Sequence, residues 1–263
     1  MGRLADLEWG DRVGKAVVGA YSKAYDVDID ECKKTSGFRS FDDFFTRELR
    51  DGARSFPEDP HTIISPSDGR LDSIGAIDGR TYTVKGRPYR VAELVGDEMD
   101  AKRYEGGYGC VVYLSPRDYH RVHAPVAGKI AIVRSMEGDY YPVNAMGVKY
   151  VHNLFVRNRR VAIVIDTPKE SGLGRVTVVM VAAMVVGRIT VSGIEARDVP
   201  FGVTHLSPPL EVKRGDEVGI FRLGSTAVVF FEPGVVSSWL VNEGPVRFGQ
   251  PFAQGRGSPG RTP

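Results

Sequence analysis

The chain carries only two cysteines in 263 residues, Cys32 and Cys110, and no Cys-x-x-Cys pair. That excludes a disulfide-stapled scaffold and the common structural zinc modules, and two packed, reduced thiols suit a reducing compartment. Long apolar runs are missing as well. The longest, Val176–Val186, is too short to span a bilayer and rich in β-branched valine, so it reads as one or two buried strands. The N-terminal segment lacks the apolar stretch of a secretory signal, so no such signal and no membrane-spanning anchor are expected. Charge of one sign is scarce: the formal net charge is +2, with no dense Lys/Arg block, which argues against a nucleic-acid partner. One modest basic cluster, Arg157, Arg159 and Arg160, reads either as a solvated turn or as a contact for anionic lipid.

What is present suffices for one large domain, or one domain with a small appendage, around a substantial core. The N-terminal part has helical spacing, with Val13, Ala16, Val17, Ala20, Tyr21 and Ala24 recurring every three or four residues. A second short helix is predicted over 40–48, capped by Ser40, with Asp42 and Asp43 in its first turn and Phe41, Phe44, Phe45 and Leu49 on its apolar face. Either stripe could cover the core or rest on a membrane surface. From about Ile63 the chain turns into short β-rich runs punctuated by Gly, Pro and Asp, with helical turns expected only at 93–96 and 97–103. The fold class expected is α+β, mainly β: an antiparallel sandwich or barrel-like core with a short N-terminal helical region. The boundaries drawn are 1–60 for the helical, membrane-facing region, 61–253 for the β-rich catalytic core, and 254–263 for a loose tail.

Two motifs carry chemistry. In VGIFRLGSTAVVFFE, Gly224-Ser225 sits between two β-prone segments. It is either a tight turn or a self-cleavage junction, where an uncovered carbonyl meets the hydroxyl of the next residue. In YLSPRDYHRVHAP, His120 and His123 lie three residues apart. A strand would point them to opposite faces, and a turn could bring both into one site. A zinc site is the competing reading, but His61, His152 and His205 are isolated and no Cys or His set completes a ligand group. Asp118 reads as a turn cap and Tyr119 as packing.

Taken in order, Ser65-Pro66-Ser67-Asp68-Gly69, the run 113–125 and the LGST run resemble the phosphatidylserine decarboxylase family. So do FDDFFTRELRDGARSF (41–56), VKGRPYRVAELVG (84–96), VHNLFVRNRRVAIV (151–164) and KRGDEVGIFRLGST (213–226), which extends the resemblance from about Tyr21 to Glu232. It implies a self-processing decarboxylase that converts phosphatidylserine to phosphatidylethanolamine and carbon dioxide. Asp68, His123 and Ser225 match the family's self-cleaving triad, with the cut between Gly224 and Ser225. Ester formation, β-elimination and loss of ammonia would leave a pyruvoyl group from Ser225, and no metal or external cofactor is expected. His120 matches the proton donor of turnover, in which the ketone acts as an electron sink. The implied partners are membrane phosphatidylserine and the chain's own two fragments as a heterodimer, with further homo-oligomerisation left open. The implied location is peripheral, on the cytoplasmic face of the cell membrane.

The pattern departs from the family at Ala182, where glycine is frequent, and at Arg188, which bears on pocket shape. Three rival readings stand beside the first: a pyruvoyl decarboxylase of another amino-group substrate, a non-cleaving homologue, and a carrier or binding module. The carrier reading rests on HAPVAGKI and KRGDEVG, and it lacks the lysine tripeptide a carrier hairpin needs.

Overall fold

Alternating and continuous β-branched runs build most of the molecule. The structure, a computed structural model, describes residues 5–143, 145–184, 188–222 and 224–257, without the side chains of Ala145 and Ser225. Helix α1 (Asp11–Tyr25) ends on Asp26 in the left-handed region, whose N–H donates to Ser22. Its buried residues are Gly14 and Val18, which with half-buried Tyr21 face Phe38 and Phe44. The stripe read from the sequence is rotated relative to this face: Val13 is 56% exposed, and Ala16, Ala20 and Ala24 are exposed too. Helix α2 (Phe41–Phe45) is shorter than expected, with the Ser40 hydroxyl accepting from the Asp43 N–H at 3.1 Å. Its rings turn inward, and Phe44 and Phe45 are buried. For α2 the core reading holds.

The β region begins with β1 (Thr62–Ile64), β2 (Gly69–Asp78), β3 (Thr81–Val84) and β4 (Arg87–Arg90), followed by helices α3 (Val91–Val95) and α4 (Glu98–Arg103). Strands β5 (Tyr108–Tyr113), β6 (Arg121–His123) and β7 (Gly128–Met136) lead to helices α5 (Ala145–Tyr150) and α6 (Leu154–Arg157). Then come β8 (Arg160–Asp166), β9 (Arg175–Ala182), β10 (Arg188–Val191), β11 (Gly202–Val212), β12 (Glu217–Arg222) and β13 (Ser225–Phe231). The chain closes with β14 (Val236–Trp239), β15 (Gly244–Val246) and β16 (Pro251–Gly255).

The main sheet is antiparallel, in the order β11-β7-β8-β9-β13-β5-β2-β3-β4, with β15 also on β2. Two three-stranded sheets, β10-β12-β6 and β1-β16-β14, accompany it, and none closes into a barrel. The sandwich contact is visible at Gly219 of β12, where a Cβ would lie 2.6 Å from Met180 Sδ of β9. Pro208 and Pro209 fall in β11, at the sheet edge, where a missing N–H breaks no central ladder. Cys32 and Cys110 are buried free thiols.

Strand β13 is central. It pairs with β9 on one side and β5 on the other, and Thr226–Phe231 are fully buried. Each large apolar side chain there contributes about 1.5–3 kcal/mol through burial. Arg70, Tyr113, Thr226 and Val181 form one row across four strands. The Asp68-Gly69 turn, the end of β5 and the Gly224-Ser225 junction therefore share one end of the sheet, with β2 and β13 roughly 10 Å apart across β5.

The residues just before that junction are held by charge. Arg188 and Arg222 lie directly opposite each other in β10 and β12, a like-charge pair that is unfavourable on its own. Asp42 of α2 pairs with Arg222 and, at 2.9 Å, with Arg197. Asp6 pairs with Arg188 at 2.6 Å, and that guanidinium holds the Asp6 carboxyl below the usual range. Arg188 thus anchors the N-terminal segment. The basic cluster at 157–160 is also mostly internal: Arg159 and Arg160 are buried, Arg159 on Asp198 and Arg160 on backbone carbonyls, so neither is a solvated turn nor a lipid contact.

Asp42→Asn should destabilise the chain by about 3–5 kcal/mol, the usual result of removing one partner of a buried pair. Urea unfolding in a Ser225→Ala background checks this, and a loss below ~1 kcal/mol would mean the cluster is effectively solvated.

Candidate active site

Gly224 opens the junction with φ +37°, in the region that glycine tolerates best, immediately before β13. It lines an apolar pocket of about 300 Å³ together with Tyr21, Phe41, Phe45, His120 and Met184. Leu223 and the Ser225 side chain lie outside the described residues. The Ser225 backbone is registered against Ala182 of β9. Ala182 itself is buried within β9, and it is the next two residues, Ala183 and Met184, that reach the pocket.

His120 lies on the turn that follows β5. Asp118 closes this turn, accepting from the Ser115 N–H at 2.6 Å and the Ser115 hydroxyl at 2.7 Å. The His120 ring is fully buried, tilted at 39° against the Phe45 ring with centroids 4.0 Å apart, and its Nδ1–H donates to the Asp118 carbonyl at 2.7 Å. Its Nε2 is buried without a hydrogen-bond partner among the described residues. Burial first, then the nearby Arg47 charge, lowers its pKa to about 3, so the ring is neutral and Nε2 is a lone pair.

His123, at the end of β6, has different surroundings. Its Nδ1–H donates to the Gly215 carbonyl at 2.8 Å, and Nε2 accepts from the Tyr119 hydroxyl at 3.1 Å. The ring stacks on Phe248 at 3.6 Å, and burial lowers its pKa to about 3. Asp68 accepts from Arg54 Nη2 at 2.8 Å and from the Phe248 N–H at 2.7 Å. Burial raises its carboxyl above the usual range, against the pull of Arg54. Gly69 must be glycine: its φ is +145°, and a Cβ would sit 2.3 Å from the Tyr113 carbonyl oxygen.

The structure thus gathers Asp68 and His123 around Phe248 without joining them by a hydrogen bond. The His123 N–H donates to the Pro66 carbonyl at 2.8 Å, so the Ser-Pro-Ser-Asp loop and β6 are in direct contact. Asp68 and Tyr119 face a separate polar cleft of about 760 Å³, bordered also by Arg47 and Arg247. His120 and Gly224 share the apolar pocket. Sequence reasoning treated Tyr119 as packing, yet its hydroxyl holds the nitrogen a base would use. It also missed Arg47, Arg54 and Phe248, whose roles come from distant chain segments that no local spacing reveals. Among the described residues no three His, Cys, Asp or Glu side chains cluster as a metal site.

An apolar pocket that sets a neutral imidazole beside the glycine-serine junction differs from the exposed lysine-bearing hairpin a carrier needs. The phosphatidylserine decarboxylase family model matches residues 41–254. A protein of Anaeromyxobacter named phosphatidylserine decarboxylase proenzyme is 37% identical over 226 residues, covering 83% of this chain and 79% of its own length. Proteins of the same name from Acinetobacter baumannii (39% identical, 82% of this chain, 76% of theirs) and Bordetella pertussis (35%, 96% and 88%) are similar. The chain belongs to the phosphatidylserine decarboxylase family.

Both histidines are neutral when folded, with pKa values near 3 against 6.5 when free. The unfolded chain therefore gains protons first as pH falls below 6.5, and each ring removes up to ~1.4 kcal/mol of stability per pH unit towards pH 3. Asp68, with its raised carboxyl, opposes this near the acid end. The melting temperature should fall between pH 7.5 and 5, and fall less in His120→Gln and His123→Gln. An equal fall in all three proteins would contradict the assignment.

Proposed function

We propose that the chain converts phosphatidylserine to phosphatidylethanolamine and carbon dioxide after cutting itself between Gly224 and Ser225. The observation that carries this reading is the pocket where the Gly224 junction meets the unpartnered Nε2 of buried His120. In maturation the Ser225 hydroxyl attacks the Gly224 carbonyl, and His123 takes its proton once Tyr119 releases Nε2. The peptide C–N bond breaks to give an ester. Loss of the residue-225 α-proton then expels the Gly224 carboxylate, and hydrolysis releases ammonia. Asp68 anchors the loop that supports His123.

The pocket fits the resulting pyruvoyl group: it lies at the start of β13, is walled by apolar side chains, and offers one lone pair. When formed, that group supplies an electron sink for decarboxylation. Neutral His120 Nε2 takes a proton from the substrate ammonium and returns it to the carbon that loses carbon dioxide. Phe41, Phe45 and Tyr21 exclude water, which strengthens these charge interactions.

A lipid substrate suits the apolar lining and its exposed rim. Tyr25 and Met184, which line the pocket, are 47% and 59% exposed. The outward apolar face of α1 (Val13, Ala16, Ala20 and Ala24) is uncovered, and together these features support peripheral membrane contact. Among the described residues no helix is long and apolar enough to cross a membrane. Two buried free thiols agree with the cytoplasmic face. The two fragments stay together as a heterodimer, because β13 is held between β5 and β9.

Denatured intact mass is the first test. Two species are expected, the smaller spanning residues 225–263 with an N-terminal pyruvoyl group. Ser225→Ala and His123→Ala should remain as one chain. His120→Ala should still cut while turnover of phosphatidylserine vesicles drops about 10²–10⁴-fold. Equal turnover of free serine and the lipid would move the substrate assignment to a soluble amino acid. A wild-type chain that stays whole on incubation with membranes would end the self-processing reading.

A further inference from the structure

Arg47 is 5% exposed and has no carboxylate within ion-pairing distance among the described residues. A buried cation without an ion pair costs free energy that its other contacts must offset. Its Nη2 donates to the Arg117 carbonyl at 2.7 Å and the Asp118 carbonyl at 3.1 Å, while its guanidinium lies over the Phe44 ring at 5.6 Å. The Asp118 carbonyl is the same one that accepts the His120 Nδ1–H. Neighbouring residues act on the same turn. Phe45 packs against the His120 ring, and the Thr46 carbonyl accepts from Arg121 Nε at 2.9 Å. The short segment 44–47 therefore grips 117–121 at several points.

We propose that Arg47 is a positioning residue for His120: by tying down the two carbonyls before the ring it fixes the Nδ1–H tautomer and keeps the imidazole uncharged, leaving Nε2 to meet the substrate as a lone pair. Protonating the buried His120 would place a second cation near Arg47, and the Arg47 charge opposes that protonation. Among the described residues no carboxylate pairs directly with Arg47; Asp28, Glu31 and Asp68 line the same cleft. The groups facing the ring from other elements are the Phe45 ring at the end of α2 and, across the pocket, Tyr21 of α1 and Tyr113 of β5. Both phenols are pushed up by burial and stay neutral. Both carbonyls are served by the one nitrogen Nη2, held in the plane of a rigid guanidinium, whereas a lysine ammonium on a flexible stem would have to be ordered to reach them.

The importance of this for turnover rests on the role proposed for His120, and the test separates the two. Full-length wild type, Arg47→Gln and Arg47→Lys are labelled with ¹⁵N-histidine, and the His120 ring signals are identified by their loss in His120→Gln. The titration is followed from pH 8 to the lowest pH at which each protein stays folded, and in wild type the ring should hold the neutral Nδ1–H pattern down to about pH 4. In Arg47→Gln the titration midpoint should rise by about one pH unit or more, with Arg47→Lys between the two. If the Gln variant does not fold, the Lys variant decides alone. A midpoint and tautomer unchanged from wild type in the folded variants would overturn the inference. A moved titration with unchanged decarboxylation would uphold it and remove His120 from turnover. A moved titration with the acid limb of the turnover profile shifted in step would uphold both.

Discussion

The molecule depends on the lateral hydrogen bonding of β13. This strand is bonded on both sides, to β9 and to β5, and is buried from Thr226 to Phe231. Its first residue is where the sheet stops and a loop begins. A reactive junction at that rim gains two things at once. The downstream half is fixed by the ladder, while the upstream half can adopt the φ of +37° seen at Gly224. Because β5 runs between β2 and β13, the same rim delivers Asp68 and the histidine turn without any special linker.

Charge is distributed so that the reaction pocket stays neutral. Arginines 188, 197 and 222 are balanced by Asp6 and Asp42 beside the junction, and Arg54 is balanced by Glu31 and Asp68. The two histidines are uncharged. Arg47 is held by carbonyls and an aromatic face, and Arg160 likewise rests on backbone carbonyls. A polar cleft at Asp68 and Tyr119 lies apart from the apolar pocket at His120 and Gly224, and both imidazoles are kept neutral by burial.

Much of this architecture was legible in the residues. The β-rich runs at 70–79, 110–116, 161–167 and 225–234 lie on strands β2, β5, β8 and β13, because their pattern fits a sheet buried on one or both faces. Ser40 and Asp97 announced helix starts, and both side chains accept the expected N–H bonds. Strands β6 and β14 were not legible, since each is short and exists by pairing with distant partners. The inward face of α1 was misread because a glycine, Gly14, supplies half of it, and hydrophobic spacing gives glycine no weight. The motif residues Asp68, His120, His123 and Gly224 were found by resemblance. Their partners Arg47, Arg54, Tyr119 and Phe248 needed coordinates, because a ring nitrogen's acceptor or a carboxylate's donor leaves no periodic trace in the chain.

The strands on either side of the proposed cut are interlaced. Downstream of it, β13 inserts between β5 and β9, β15 joins β2, and β14 and β16 form a sheet with β1. Every one of those partners except β14 and β16 for each other belongs to the upstream piece. The small piece alone would have no sheet to join, and the large piece would have a gap in its middle. Such a molecule carries a history: it can be assembled as one thread but not readily from two. Its durability after cutting is then governed by how slowly it opens, not by an equilibrium it can revisit.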